Sequence, residues 1–172
     1  MKMMKKIAFM MAMAALLVSC GTTGGVTSGM SKAERKAYVA EQVYNGLNER
    51  HYTIEVGHMT ERRGGMRTLS SGYELQIKGD TVISYLPYFG DVYAGRTVPY
   101  GQQKALNFTG YIYNYVAVME KQGEYRIQFQ TETEEDRYIY TIQLFDNGKS
   151  YIDVLGENRT SISFIGDMKI AY

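Results

Sequence analysis

The chain has no tryptophan, one cysteine, two histidines and two prolines among its 172 residues. Each scarcity excludes something. A lone cysteine, Cys20, rules out an intrachain disulfide, so the folded part must be held by its own core. His51 and His58 form none of the Cys/His spacings of a metal site. Seven positions apart in a strand, they face opposite sides and lie roughly 20 Å apart at ~3.3 Å per residue. Charge is nearly balanced, 19 basic residues against 18 acidic, which gives no basic surface for nucleic acid. There is also no nucleophile elbow, no phosphate-cradling glycine loop and no calcium-loop pattern. No reaction is indicated, and neither a cofactor nor a metal is expected.

What the sequence has begins at its start. Lys2, Lys5 and Lys6 precede an apolar run from Ile7 to Val18, followed by Ser19 and Cys20. A charged start, an apolar middle and a small residue at the end describe a secretory signal, and the run is short of the ~20 apolar residues of a spanning helix. Leu17-Val18-Ser19-Cys20 resembles the lipobox of bacterial lipoproteins, which implies cleavage after residue 19 and acylation of Cys20. Burial of each acyl CH₂ contributes about 0.8 kcal/mol, so two or more chains anchor stably. Loss of the three leader lysines leaves 16 basic residues against 18 acidic, a net charge of −2. Residues 20–30, rich in Gly, Thr and Ser, read as a flexible tether. The expected address is the outer membrane at its periplasmic face, with the cell surface as the alternative.

From residue 31 to 172 the pattern is that of one domain, mainly β, after a single helix. Ser31-Lys32-Ala33-Glu34 fits a capping box, and Ala33, Ala37, Ala40, Tyr44 and Leu47 recur at helical spacing, predicting a helix over 31–48. Beyond it, apolar and polar residues alternate with period two, as in Tyr52-Thr53-Ile54-Glu55-Val56 and Tyr138-Ile139-Tyr140-Thr141-Ile142. Eight to ten strands are predicted, at about 52–57, 66–71, 73–78, 81–86, 104–108, 112–120, 124–132, 137–145, 150–155 and 160–165. Short turns join many of them, and Asn147-Gly148 is a strong hairpin signal. Successive hairpins make an antiparallel meander, and a meander this long removes its sticky edges by closing on itself. An up-and-down β-barrel is the expected fold; a two-sheet β-sandwich is the alternative.

The alternation lapses between Tyr85 and Gly101. Both prolines, Pro87 and Pro99, lie here, with Tyr85, Tyr88, Phe89, Tyr93 and Tyr100 among small residues and Arg96 as the lone cation. A long loop that is not polar either packs over something or binds something. These six side chains (five aromatic, plus Arg96) are the candidate ligand-binding set, since tyrosine joins a flat apolar face to a hydroxyl. The competing reading is a structural lid. The acidic run Glu132, Glu134, Glu135 and Asp136 reads as a solvated turn. Asp80-Thr81-Val82 resembles an acceptor motif for periplasmic O-glycosylation, although Asp80 is equally explained by turn chemistry.

Ser84-Tyr85-Leu86-Pro87-Tyr88-Phe89-Gly90, with Tyr93, Phe108, Tyr115, Asn147-Gly148 and Asn158-Arg159, is similar to the DUF4251 family of Bacteroidota envelope proteins. The resemblance extends from about Leu47 to Ile165. It implies secretion, frequent lipidation and a β-rich, lipocalin-like fold, and it brings no catalytic residues. The functional expectation is therefore a lipid-anchored, non-enzymatic binding module for a small molecule, peptide or glycan. The alternative is a structural or assembly partner of another envelope protein. The expected partners are the membrane through Cys20 and such a ligand or protein, with no nucleic acid.

Overall fold

The computed structural model describes residues 29–61, 65–88 and 106–170. Residues 1–28, which include the expected signal segment, Cys20 and most of the expected tether, lie outside the described residues. The first element is helix α1 (Lys32–Glu49). Ser31 caps it: its hydroxyl accepts from the Glu34 N–H at 3.3 Å, and the Glu34 carboxylate accepts from the Ser31 N–H at 2.7 Å. This capping box satisfies donors that no helical carbonyl can reach, and the Ser31 hydrogen bonds hold the Glu34 carboxyl below its usual range. Arg50, in the left-handed region at φ 49°, ends the helix and returns its N–H to Gly46 and Leu47. The helix is where the sequence placed it, but its buried face is not. Val39, Val43, Gly46 and Leu47 face the core, while Tyr44 is half exposed. Branched valines bury more apolar area than the alanine stripe and so decide which side turns inward.

Nine strands follow: β1 (His51–Glu61), β2 (Met66–Thr68), β3 (Glu74–Lys78), β4 (Thr81–Leu86), β5 (Leu106–Lys121), β6 (Glu124–Glu132), β7 (Arg137–Phe145), β8 (Lys149–Gly156) and β9 (Ile162–Met168). Every pairing is antiparallel. The order β1-β3-β4-β5-β6-β7-β8-β9 closes through β1–β9 pairing, making an eight-stranded barrel with β2 as an extra strand on β1. The expected closed meander is the observed fold. The sandwich is not.

The closing seam pairs Ile54 with Met168 and, beyond an irregularity at Gly57, Met59 with Phe164. That extra residue switches the inward phase of β1 from Tyr52, Ile54 and Val56 to Met59. Gly166 is required here, because a side chain would meet the Glu55 carbonyl and Ile54. One predicted break was misplaced. The strands expected at 104–108 and 112–120 are one continuous strand, β5. Gly110 does not turn the chain; it pairs with Val82, and a side chain there would run into the Thr131 hydroxyl. The expected strand 66–71 shortens to the three exposed residues of β2.

Among the described residues the interior is filled. Phe129 and Tyr140 stack at 4.9 Å, and with Phe164, Met59, Leu75, Ile127, Ile142 and Leu144 they retain no surface that a water molecule could touch. Side chains with no such surface border no void that could hold a ligand. Eight-stranded barrels either pack their interior or hold one small ligand, and the described part of this one is packed. Tyr140 still satisfies its hydroxyl, which donates to Ser84 Oγ at 3.2 Å.

Candidate functional site

The connections after β4, β6 and β8 share one end of the barrel, here called the rim. Two of the six predicted residues are described there. Tyr85 is half exposed and stacks on Tyr73 with ring centroids 5.6 Å apart. Tyr88 is buried, its hydroxyl bonded to the Thr160 carbonyl at 3.0 Å and lying 3.1 Å from the Thr160 hydroxyl. Tyr88 thus ties the start of the aromatic segment to the β8–β9 connection. Phe89, Tyr93, Arg96 and Tyr100 lie outside the described residues.

The strongest polar feature of the rim is one the sequence reading treated as solvated. Asp136 is buried, with a fully covered carboxylate. It accepts from the backbone N–H groups of Arg137 at 2.9 Å, Glu157 at 3.1 Å and Asn158 at 3.2 Å. It also takes the Asn158 side-chain amide at 3.2 Å and the Arg159 Nε at 3.1 Å. The Arg159 guanidinium lies 4.9 Å from the centre of the Tyr88 ring and 5.3 Å from that of Tyr138. A cation between aromatic faces gains from both ring quadrupoles. Gly156 makes room for this clamp, since a side chain there would collide with Arg159 and Asp136. The β6–β7 turn is thereby locked to the β8–β9 connection. Burial pushes the Tyr138 phenol up to about 12, with Arg159 opposing the shift and Asp136 and Glu135 adding to it.

Beside the clamp is an open cleft of ≈640 Å³, within the size range of ligand sites. Phe108 and Tyr138, stacked at 5.2 Å, form its aromatic wall. Glu132, Glu134 and Glu135 supply an acidic wall, and Asn107 and Thr109 add neutral polar groups. A smaller cleft of ≈330 Å³ is lined by Tyr113, Asn114, Gln130 and Arg137. Phe108 and the acidic run were both visible in the sequence, but only folding brings them together. Among the described residues no three His, Cys, Asp or Glu side chains are grouped to hold a metal ion. His51 and His58 sit apart along β1. Thr81 opens β4, and Asp80 is occupied by an ion pair with Arg50 at 2.9 Å.

Residues 34–168 match the model of a family described as Domain of unknown function (DUF4251). The chain belongs to the DUF4251 family. The match begins within α1 and ends at the last residue of β9, so it covers the barrel as a whole. A crystal structure of a DUF4251 family protein from Bacteroides eggerthii DSM 20697 superimposes with a TM-score of 0.61. That similarity covers 78% of this chain and 89% of the other at 10% sequence identity, so it speaks for the fold alone. No curated protein matches the sequence. What this DUF4251 protein does must therefore be argued from its own rim and walls.

Proposed function

We propose that this DUF4251 protein is a lipid-anchored, non-enzymatic binding protein of the bacterial envelope, held at the outer membrane through Cys20, which takes its ligand at the rim. The filled interior carries this reading, because it moves recognition out of the barrel and onto its end. The Phe108–Tyr138 wall suits a flat or apolar body, and the facing carboxylates suit a donor or cationic group on it. A small molecule, peptide or glycan with both parts fits this chemistry. Rigid surroundings favour binding, since the Asp136–Arg159 clamp fixes the turn that carries the glutamates.

The test is native mass spectrometry of the mature protein purified from its own envelope. A co-purified small molecule that disappears on Thr109→Arg is the expected result. Thr109 is exposed, and arginine there would obstruct the cleft and set a cation against its acidic wall. A ligand retained by Thr109→Arg would overturn the rim as its site. Membrane fractionation tests the anchor: Cys20→Ala is expected to release a folded domain, and persistence in the membrane fraction would refute lipid attachment. A second reading, an assembly partner with no small-ligand site, is supported by exposed Tyr111, Tyr113, Val116 and Val118 along β5. Co-purification of a stoichiometric second protein instead of a ligand would favour it.

A further inference from the structure

The lower part of β5 departs from the rest of the barrel wall. β4 pairs with β5 only from Leu106 to Tyr111, whereas β6 accompanies β5 as far as Lys121. The Ile112 N–H still reaches the Asp80 carbonyl at 2.8 Å. A register shift follows between Tyr113 and Val116, where Asn114 takes a φ of 53°. Beyond it, among the described residues, no strand pairs with Val116–Lys121 on the side away from β6. All six of these residues are exposed, although alternation in a closed wall would bury every second one. A row of backbone donors and acceptors therefore stands open beside Val116, Val118 and Met119, whose exposures are 53%, 44% and 57%.

Such an edge is a template for another strand, and proteins usually blunt it with proline, short length or unpaired charge. Here there is no proline, and the charges are spent within the hairpin: Glu120 pairs with Arg126, and Lys121 with Glu124 at 3.7 Å. The stretch is also complementary to itself. Antiparallel pairing about Ala117 sets Val116 against Val118 and brings Met119 beside the edge of Tyr115, whose ring already packs on Phe129 and under the Arg50 guanidinium. The regular stretch ends at Asn114 and at a second register shift between Met119 and Lys121, so pairing is confined to Tyr115–Met119, which carries no charge.

We propose that the exposed edge of β5 pairs antiparallel with the same edge of a second copy about a two-fold axis at Ala117, joining two barrels through one continuous sheet. The contact is isologous, as in most closed dimers. It is independent of the rim reading and uses the other end of β5. A strand pair of this length falls at the low end of interface size, below roughly 1,200 Å², so association is concentration-dependent.

Two measurements on the mature protein in detergent decide it. Sedimentation across a dilution series is expected to show reversible dimerisation, lost in Val118→Lys, which should stay folded because Val118 is already partly exposed. A monomer at all concentrations, or a dimer that survives Val118→Lys, would overturn the proposal. Oxidative cross-linking reads the register. Ala117→Cys should cross-link to itself, since opposed Cα atoms at about 4.5–5.5 Å suit a disulfide. Glu120→Cys should not, because its copies sit roughly 20 Å apart along the strands at ~3.3 Å per residue. The parent chain serves as the blank for Cys20. Cross-linking at neither position, or equally at both as two chains sharing a micelle would give, counts against the pairing.

Discussion

At one end of the barrel, α1 lays Val39, Val43 and Leu47 on the core beside the start of β1 and the end of β9. At the other, Asp136 collects five donors and holds Arg159 between two tyrosine rings. The helix end is non-directional: any apolar side chains of similar volume would serve. The rim end is directional, because a buried carboxylate is tolerated only if its acceptor sites are filled in the right geometry. Apolar closure gives stability with latitude in position. The clamp fixes where three backbone segments stand relative to one another, which is what a recognition surface requires.

Removing one side of the clamp should produce the largest effect. Asp136→Ala takes the shared acceptor from five donors, the Arg159 Nε among them, and is expected to cost about 3–5 kcal/mol, read by urea unfolding. Replacing both partners sharpens the point. Asp136→Leu with Arg159→Met should recover most of that stability, yet loosen the β6–β7 turn in amide exchange. A double variant as protected there as the parent would show that the clamp positions nothing. At the helix end, Leu47→Ala should cost about 3 kcal/mol through lost burial and a cavity, with exchange increasing in α1 and not at the rim.

Alkali should act on both ends, because burial also pushes up the Tyr52 phenol at the start of β1, beside α1. Tyr138 is pushed up to about 12 by burial, while the same phenol in the unfolded chain titrates near 10. The folded protein thus keeps a proton that the unfolded chain gives up. At about 1.36 kcal/mol per pH unit the rise sets a ceiling of about 2.7 kcal/mol, cut to about 2 by solvent screening; this stability is fully present below pH 10 and lost as pH rises toward 12. Tyr140 is shifted in the same direction by its burial. Phenolate absorbance should show these tyrosines titrating with unfolding, and exchange protection should be lost at the β6–β7 turn and at α1 over the same pH range. Loss at one end well before the other would show that only that end holds its phenols protonated. The smallest expected effect is Ser31→Ala, about 1 kcal/mol from the lost cap, confined to the first turn of α1.

Most of the fold was legible because its signals are local. The capping box at Ser31, the turn at Asn147-Gly148 and the period-two runs of β6 and β7 each depend on neighbours in the chain. The misreadings came where distant residues decide. Gly110 looked like a break, but its role is set by Thr131, which lies on the next strand. Asp136 looked solvated because its partner Arg159 is 23 positions away, and nothing local distinguishes that aspartate from Glu134 or Glu135. The aromatic segment was recognisable as unusual, and Tyr88 shows why: its hydroxyl reaches Thr160, 72 positions on. The cleft is lined instead by Phe108, Tyr138 and the acidic run, which only the barrel brings together.

The seam between β1 and β9 has a consequence for how the protein is made. It joins residues more than a hundred positions apart, among them Ile54 and Met168. Loop-closure entropy must be met before such contacts stabilise anything, so pairing of this kind comes late and slowly. The ring therefore cannot shut until the C-terminal strand has been delivered, and until then β1 and β9 both present unsatisfied backbone. A chain threaded through a membrane N-terminus first would emerge with β1 waiting for its last partner. For that interval the growing barrel depends on whatever protects open strands in its compartment, and a truncation before Ile162 would leave it permanently in that state.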